Sequence, residues 1–160
     1  RGRKDQIALA SRYGIKEYPA PAGGCVLADP ILSRRLKRMF ELRPEFDVND
    51  CVLARMGRHF LLPDRSWLVI GREERENVKI ASLIREGDIR LDPARVPGPT
   101  GLWRKVNTGA YADIAASILC RYTKVKKCPE EIKLSGHGTE KIKTIRTLPA
   151  SDETINRYRI

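Results

Sequence analysis

The hydrophobic pattern of this 160-residue chain changes period at Gly57–Arg58, and the change limits the folds open to it. Before that point apolar residues recur at helical spacing. Arg3 to Tyr13 reads as a short helix with Ile7, Leu9 and Ala10 available for burial, stopped by Gly14. Asp29-Pro30 supplies an N-cap and a first-turn proline for a helix running to about Phe40. Asp47, with Asp50 three positions on, caps a third helix that Gly57 ends. Beyond residue 57, "RHFLLP" and "SWLVIG" are short apolar runs around Asp64-Arg65 and predict a hairpin. "REERENVKIASLIREG" is helical, "DIRLDP" and "LWRKV" are strands, and "ADIAASILCRYTKVKK" carries the strongest helical period of the chain. "EEIKLSG" and "KIKTIRTLP" close as two alternating strands. Three helices followed by β-β-α-β-β-α-β-β predict an α+β fold. A short N-terminal helical segment precedes a mixed, mostly antiparallel sheet packed with two helices. We place the boundary at residue 57, with 1–57 a helical linker segment holding the Ala22-Gly23-Gly24-Cys25 bend and 58–160 the α+β domain.

The formal charge of +11 is unevenly spread. Residues 1–60 are net +5, residues 61–100 neutral and residues 101–146 net +6. Two basic zones flanking a neutral middle predict a polyanion surface if the fold brings them to one face. The other reading is a basic surface that serves solubility. No apolar run approaches the roughly 20 residues of a membrane span and no secretory signal opens the chain, so we expect a cytoplasmic protein with no membrane partner. The chain opens at Arg1 on a helical pattern, from which we expect a piece of something longer.

Little in the sequence supports self-contained catalysis. There is no phosphate-binding glycine loop and no G-x-S-x-G elbow. The acidic residues of 61–100 are interspersed with arginines and read as a solvated helix face. Cys25, Cys51, Cys120 and Cys128 contain no C-x-x-C pair, and His59 and His137 are the only histidines, so no metal site is expected. Cys51 and Cys120 fall on apolar helix faces and read as core residues. Cys25 has two readings. Four residues before a helix start and close to Arg34 and Arg35, its thiol could be activated as a nucleophile. Equally, it could be a small buried side chain in a tight turn.

Two resemblances bear on function. "GRKDQIALASRYGI", "YPAPAGGCVLADPILSRRLKRMF" and "MGRHF" resemble the segment that follows the ATP-binding domain in tRNA 2-thiouridine synthetases and related PP-loop proteins. Those relatives have Ser where this chain has Ala20 and Thr where it has Ala28. The resemblance implies that Cys25 is the second of two sulfur-transfer cysteines, closing a disulfide as sulfur leaves. It also implies an upstream domain that binds ATP and a sulfur-donor protein. This chain itself would hold no cofactor. Over Trp67 to Pro149, "WLVIGREEREN", "GDIRLDPARVPGP", "ADIAASILCRYTKVKK" and "IKTIRTLP" resemble the RNA-binding domain of NFACT proteins. Glu73 stands where that family usually has Asn, and Arg90 and Asp92 stand where it has Trp and His.

Together these imply a tRNA-binding region of an ATP-dependent tRNA-thiolating enzyme, inactive by itself. The alternative is a non-catalytic module binding tRNA or other structured RNA in tRNA or ribosome quality control. The expected RNA contacts are Arg34, Arg35, Lys37, Arg58, His59, Arg72, Arg75, Lys124, Lys126 and Lys127. His59 has a structural reading beside the RNA one. Tyr122 and Trp103 are candidates for base stacking, against a core-packing reading for both.

Overall fold

In a computed structural model of the chain, residues 4–17, 28–43, 45–104, 110–124, 128–137 and 142–160 are described. They fall into two compact units, residues 1–33 and 34–160. The first holds helix α1 (Lys4–Arg12) and the start of α2 (Pro30–Leu42). No residue of α1 is buried, and Ile7 and Leu9 are more than half exposed, so the expected burial of this helix is not found. The cap at Asp29 forms as expected. Its Oδ1 accepts from the backbone N–H of Ile31 at 2.8 Å and of Leu32 at 3.2 Å, satisfying two of the donors every helix start leaves over.

In the second unit α3 (Val48–Leu53) is followed by β1 (Arg58–Leu61), β2 (Trp67–Ile70), α4 (Glu74–Ser82), β3 (Ile89–Pro93) and β4 (Gly101–Arg104). Then come α5 (Ala112–Arg121), β5 (Glu130–Gly136), β6 (Ile142–Thr147) and α6 (Asp152–Tyr158). The fold is α+β, with one six-stranded sheet in the order β1-β2-β4-β3-β5-β6. Every pairing is antiparallel. Helix α6 is not marked by the hydrophobic pattern because it buries one residue, Ile155. Its local signal is Ser151, whose Oγ accepts from Thr154 N at 3.2 Å, followed by Asp152 and Glu153 in the first turn.

Glycine is required where the helices hand over to the sheet. Gly57 has φ +77°, and a Cβ there would stand 2.7 Å from the carbonyl oxygen of Ile70. The hairpin β1–β2 is closed by Asp64, whose Oδ1 takes Ser66 N at 3.0 Å and Ser66 Oγ at 2.5 Å.

Strand alternation sorts the sheet's side chains onto two faces. On one, Phe60, Leu68, Ile70, Leu91, Trp103, Ile132, Leu134 and Ile145 form a single core with Ala112, Ala115, Ala116, Ile118 and Leu119 of α5. The small alanines let the helix lie close to the sheet. Gly101 completes the fit, since a Cβ there would come within 2.7 Å of Leu119 Cδ1.

On the other face Trp67 sits opposite Arg104 and Val69 opposite Leu102. These are buried along with Leu36, Met39, Leu53, Ile80 and Leu83 from α2, α3 and the α4 region. Arg104 is only 2% exposed. Its guanidinium donates to Asp88 through Nε at 3.0 Å and Nη2 at 2.8 Å, to Asn49 Oδ1 at 3.1 Å, to Leu83 O at 3.2 Å and to Asp50. Burial would lower its pKa, but hydrogen bonds and charge from Asp88 and Asp50 outweigh that, and the pKa is raised. Asp47 and Asp50 form a capping box at α3, as their spacing predicts, and both also receive Arg85. Asp88 and Asp50 are thereby structural. Glu76 joins them, accepting from Gly57 N at 3.0 Å, so the acidic residues of 61–100 are not simply a solvated face. Among the described residues no helix is long and apolar enough to cross a membrane.

Two outcomes are expected. Arg104→Leu strands Asp50 and Asp88 as buried charges and should cost about 3–5 kcal/mol in urea unfolding. His59, 1% exposed, accepts from Trp67 Nε1 through Nδ1 at 3.1 Å. Burial, with Arg35 and Arg72 nearby, holds its pKa well below the usual histidine value against an opposing backbone contact from Met56. The unfolded chain therefore binds a proton that the folded chain refuses. Stability should be full above pH about 6.5 and decline as pH falls below it. His59→Asn should remove that part of the pH dependence, measured as wild type minus variant between pH 8 and 5.

Candidate nucleic-acid interface

The residues expected to meet RNA divide by location. Arg58 opens β1 and points to the α5 side of the sheet, since its register partner is Ile70. Its guanidinium carbon lies 4.5 Å from the centroid of the Tyr122 ring, and Nη1 donates to Gly71 O at 2.9 Å. Burial lowers the Arg58 pKa. Arg72 and Arg159 add to the lowering by like charge, while Tyr122 and Glu76 oppose it. Arg72 follows Gly71, which Arg58 contacts, and Arg159 is bridged to Phe60 two residues along β1, so three arginines share one corner of the sheet. The carboxylate among them, Glu76, is occupied by the backbone N–H groups of Gly57 at 3.0 Å and Arg72 at 2.7 Å. Arg72 and Arg159 are exposed, so the corner presents positive charge to solvent.

Arg159 is absent from the sequence-derived set. It reaches the corner because the chain end lies along the outer edge of β1, with Phe60 bridged to Arg159 and Ile160 N donating to His59 O at 3.1 Å. The signal that could have found it was the Ser151 cap, which starts the helix that carries the chain back.

Arg34 and Lys37 are exposed on α2 and, with Arg38, Glu41, Leu42 and Leu61, line an open groove of about 400 Å³. Arg75 is exposed on α4, beside Glu74 and Lys79. Lys124 is exposed just after α5. Lys126, Lys127 and Cys25 lie outside the described residues.

Four of the candidate residues have internal tasks, and for His59 and Trp103 the core reading holds. Arg35 turns inward and donates to Ala54 O at 2.7 Å, joining α2 to the end of α3. His59 is a core residue stacked on Trp67, with ring centroids 5.6 Å apart, and has no surface to offer RNA. Trp103, 1% exposed, is also core, its Nε1 donating to Ser66 Oγ at 2.8 Å. Tyr122 already carries Arg58 on one ring face and packs on Phe60, so it holds an arginine in place instead of stacking on a base. Cys120 is buried, which raises its thiol pKa, Cys51 is half-buried and Cys128 is exposed.

A solvent-facing arginine corner on a one-sheet α+β domain is the electrostatic footprint that a polyanion-binding surface needs. Residues 57–159 match the family model of the NFACT protein RNA binding domain, and the chain belongs to that family. The fold is similar to that of the C-terminal part of the fibronectin/fibrinogen-binding protein from Streptococcus suis, with a TM-score of 0.57 and 14% identity. That similarity covers 66% of this chain and 50% of the other, so this chain spans half of its length. No curated protein matches the sequence.

Proposed function

We propose that this chain is a non-catalytic module that holds structured RNA, of the tRNA or ribosomal kind, through its phosphates. The placement of Arg58, Arg72 and Arg159 at one corner of the sheet carries the reading, together with membership of an RNA-binding domain family. Arginine forks suit phosphate oxygens, and Arg58 is pre-positioned by the Tyr122 ring and Gly71 O, so little side-chain freedom is lost on binding. Lys124 and the α2 cations Arg34 and Lys37 would extend the contact. Sulfur transfer by Cys25 within an ATP-dependent enzyme rests on the resemblance of the first 60 residues. The matched residues 57–159 fit the binding-module reading better.

Filter binding to tRNA across a salt series tests this. The logarithm of affinity should fall linearly with the logarithm of salt. Arg72→Ala and Arg159→Ala should each reduce that slope by about 1 without lowering the Tm. Affinity indifferent to salt would sink the proposal.

A further inference from the structure

The second face of the sheet is covered only in part. Over β1, β2 and β4 its residues Trp67, Val69, Leu102 and Arg104 are buried. Over β3, β5 and β6 the same face is open. The register sets out its side chains in rows: Arg90, Ser135 and Ile142 in one, Asp92, Lys133 and Thr144 in the next, Glu131 and Arg146 in the third. Lys133, Thr144 and Arg146 are exposed and Ile142 is 61% exposed, whereas their strand neighbours Ile132, Leu134 and Ile145 are buried on the α5 side.

The charges on this open face do not cancel. Asp92 is taken by Arg90, at 2.5 and 3.1 Å, and by Thr100 Oγ1 at 2.9 Å. Glu131 is taken by Arg95 at 2.7 Å. Both carboxylates are therefore neutralised by neighbours. Lys133 and Arg146 have no ion pair among the described residues. They are diagonal cross-strand neighbours, about 7–8 Å apart at the backbone, a separation that long side chains can adapt to successive phosphates. Thr144 stands opposite Lys133 and two residues before Arg146, Ser135 lies in the next row beyond Lys133, and no row contains an aromatic ring.

From this we infer a second RNA surface on the open half-sheet, distinct from the arginine corner and suited to the backbone of an RNA duplex. Single-stranded RNA is commonly held by stacking bases on aromatic side chains, which this face lacks. Duplex RNA is read through phosphates and 2′-hydroxyls, which cations and hydroxyls on a flat surface can meet. The two surfaces point to opposite faces of the sheet. Neighbouring strands are about 4.8 Å apart, so β1 and β5 are separated by roughly 19 Å. A domain built this way would hold two RNA segments at once. The inference rests on the RNA-binding reading above.

The test compares the wild type, Lys133→Ala/Arg146→Ala, Arg72→Ala/Arg159→Ala and the quadruple variant. Each is titrated with a 20-base-pair RNA duplex and with oligouridine. Wild type should prefer the duplex. Lys133→Ala/Arg146→Ala should lower the salt slope for the duplex by about 2, weaken binding at least 10-fold and leave the melting temperature unchanged. The losses of the two double variants should multiply in the quadruple variant. Duplex binding unchanged in Lys133→Ala/Arg146→Ala while Arg72→Ala/Arg159→Ala loses affinity would overturn the second surface and spare the proposed function. Preference for oligouridine would overturn the duplex assignment. No RNA binding by the wild type would remove both.

Discussion

The buried guanidinium of Arg104 fixes the arrangement on which both surfaces depend. It stands at the end of β4 and reaches Asp88 before β3, Asn49 and Asp50 of α3 and the carbonyl of Leu83 after α4. A planar group with five donors can tie that many elements at once, and a lysine cannot. Arg85 pairs with Asp47 and Asp50, and the half-buried Arg43 donates to the carbonyl of Arg104 at 3.5 Å. Taking Arg104, Asp50 and Asp88 out of water is costly, and their mutual hydrogen bonds offset that cost only in this geometry. The consequence is positional. Helix α3 and the end of α4 are held over the β4 side of the sheet, and the β3-β5-β6 half of that face stays bare.

Charge is distributed on the surface by the same logic of pairing. Of the carboxylates in the neutral middle of the sequence, the fold spends Asp88 on Arg104, Asp92 on Arg90 and Glu76 on the backbone N–H groups of Gly57 and Arg72. What remains outward is the cationic excess of the flanking zones. The corner is sharpened by an aromatic ring that orients Arg58 and by the chain end that delivers Arg159. Phosphate recognition of this kind positions an RNA without reading its bases.

The fold was largely legible. The apolar runs at 58–61 and 67–70, the runs at 89–93 and 101–104 and the alternating runs at 130–136 and 142–147 are strands, and the caps at Asp29 and Asp47 work through the side chains expected of them. Local chemistry was enough because each signal lies within a few residues of its effect. The site was legible only in part. Arg58 and Arg72 were found as RNA contacts, but so were Arg35, which turns inward, and His59, which the core absorbs. Tyr122 and Trp103 looked alike as stacking candidates, and long-range packing gave each a different task.

The sequence by itself therefore determined most of the elements, the α+β class with a mostly antiparallel sheet, and the basic excess. Those follow from periodicity, caps and composition, which are local or additive. Only the tertiary structure decided which arginines face solvent, which carboxylates are consumed and which half of the sheet is left uncovered. Those depend on register and on contacts between residues such as Asp50 and Arg104, 54 positions apart, and no local pattern encodes a pairing at that distance.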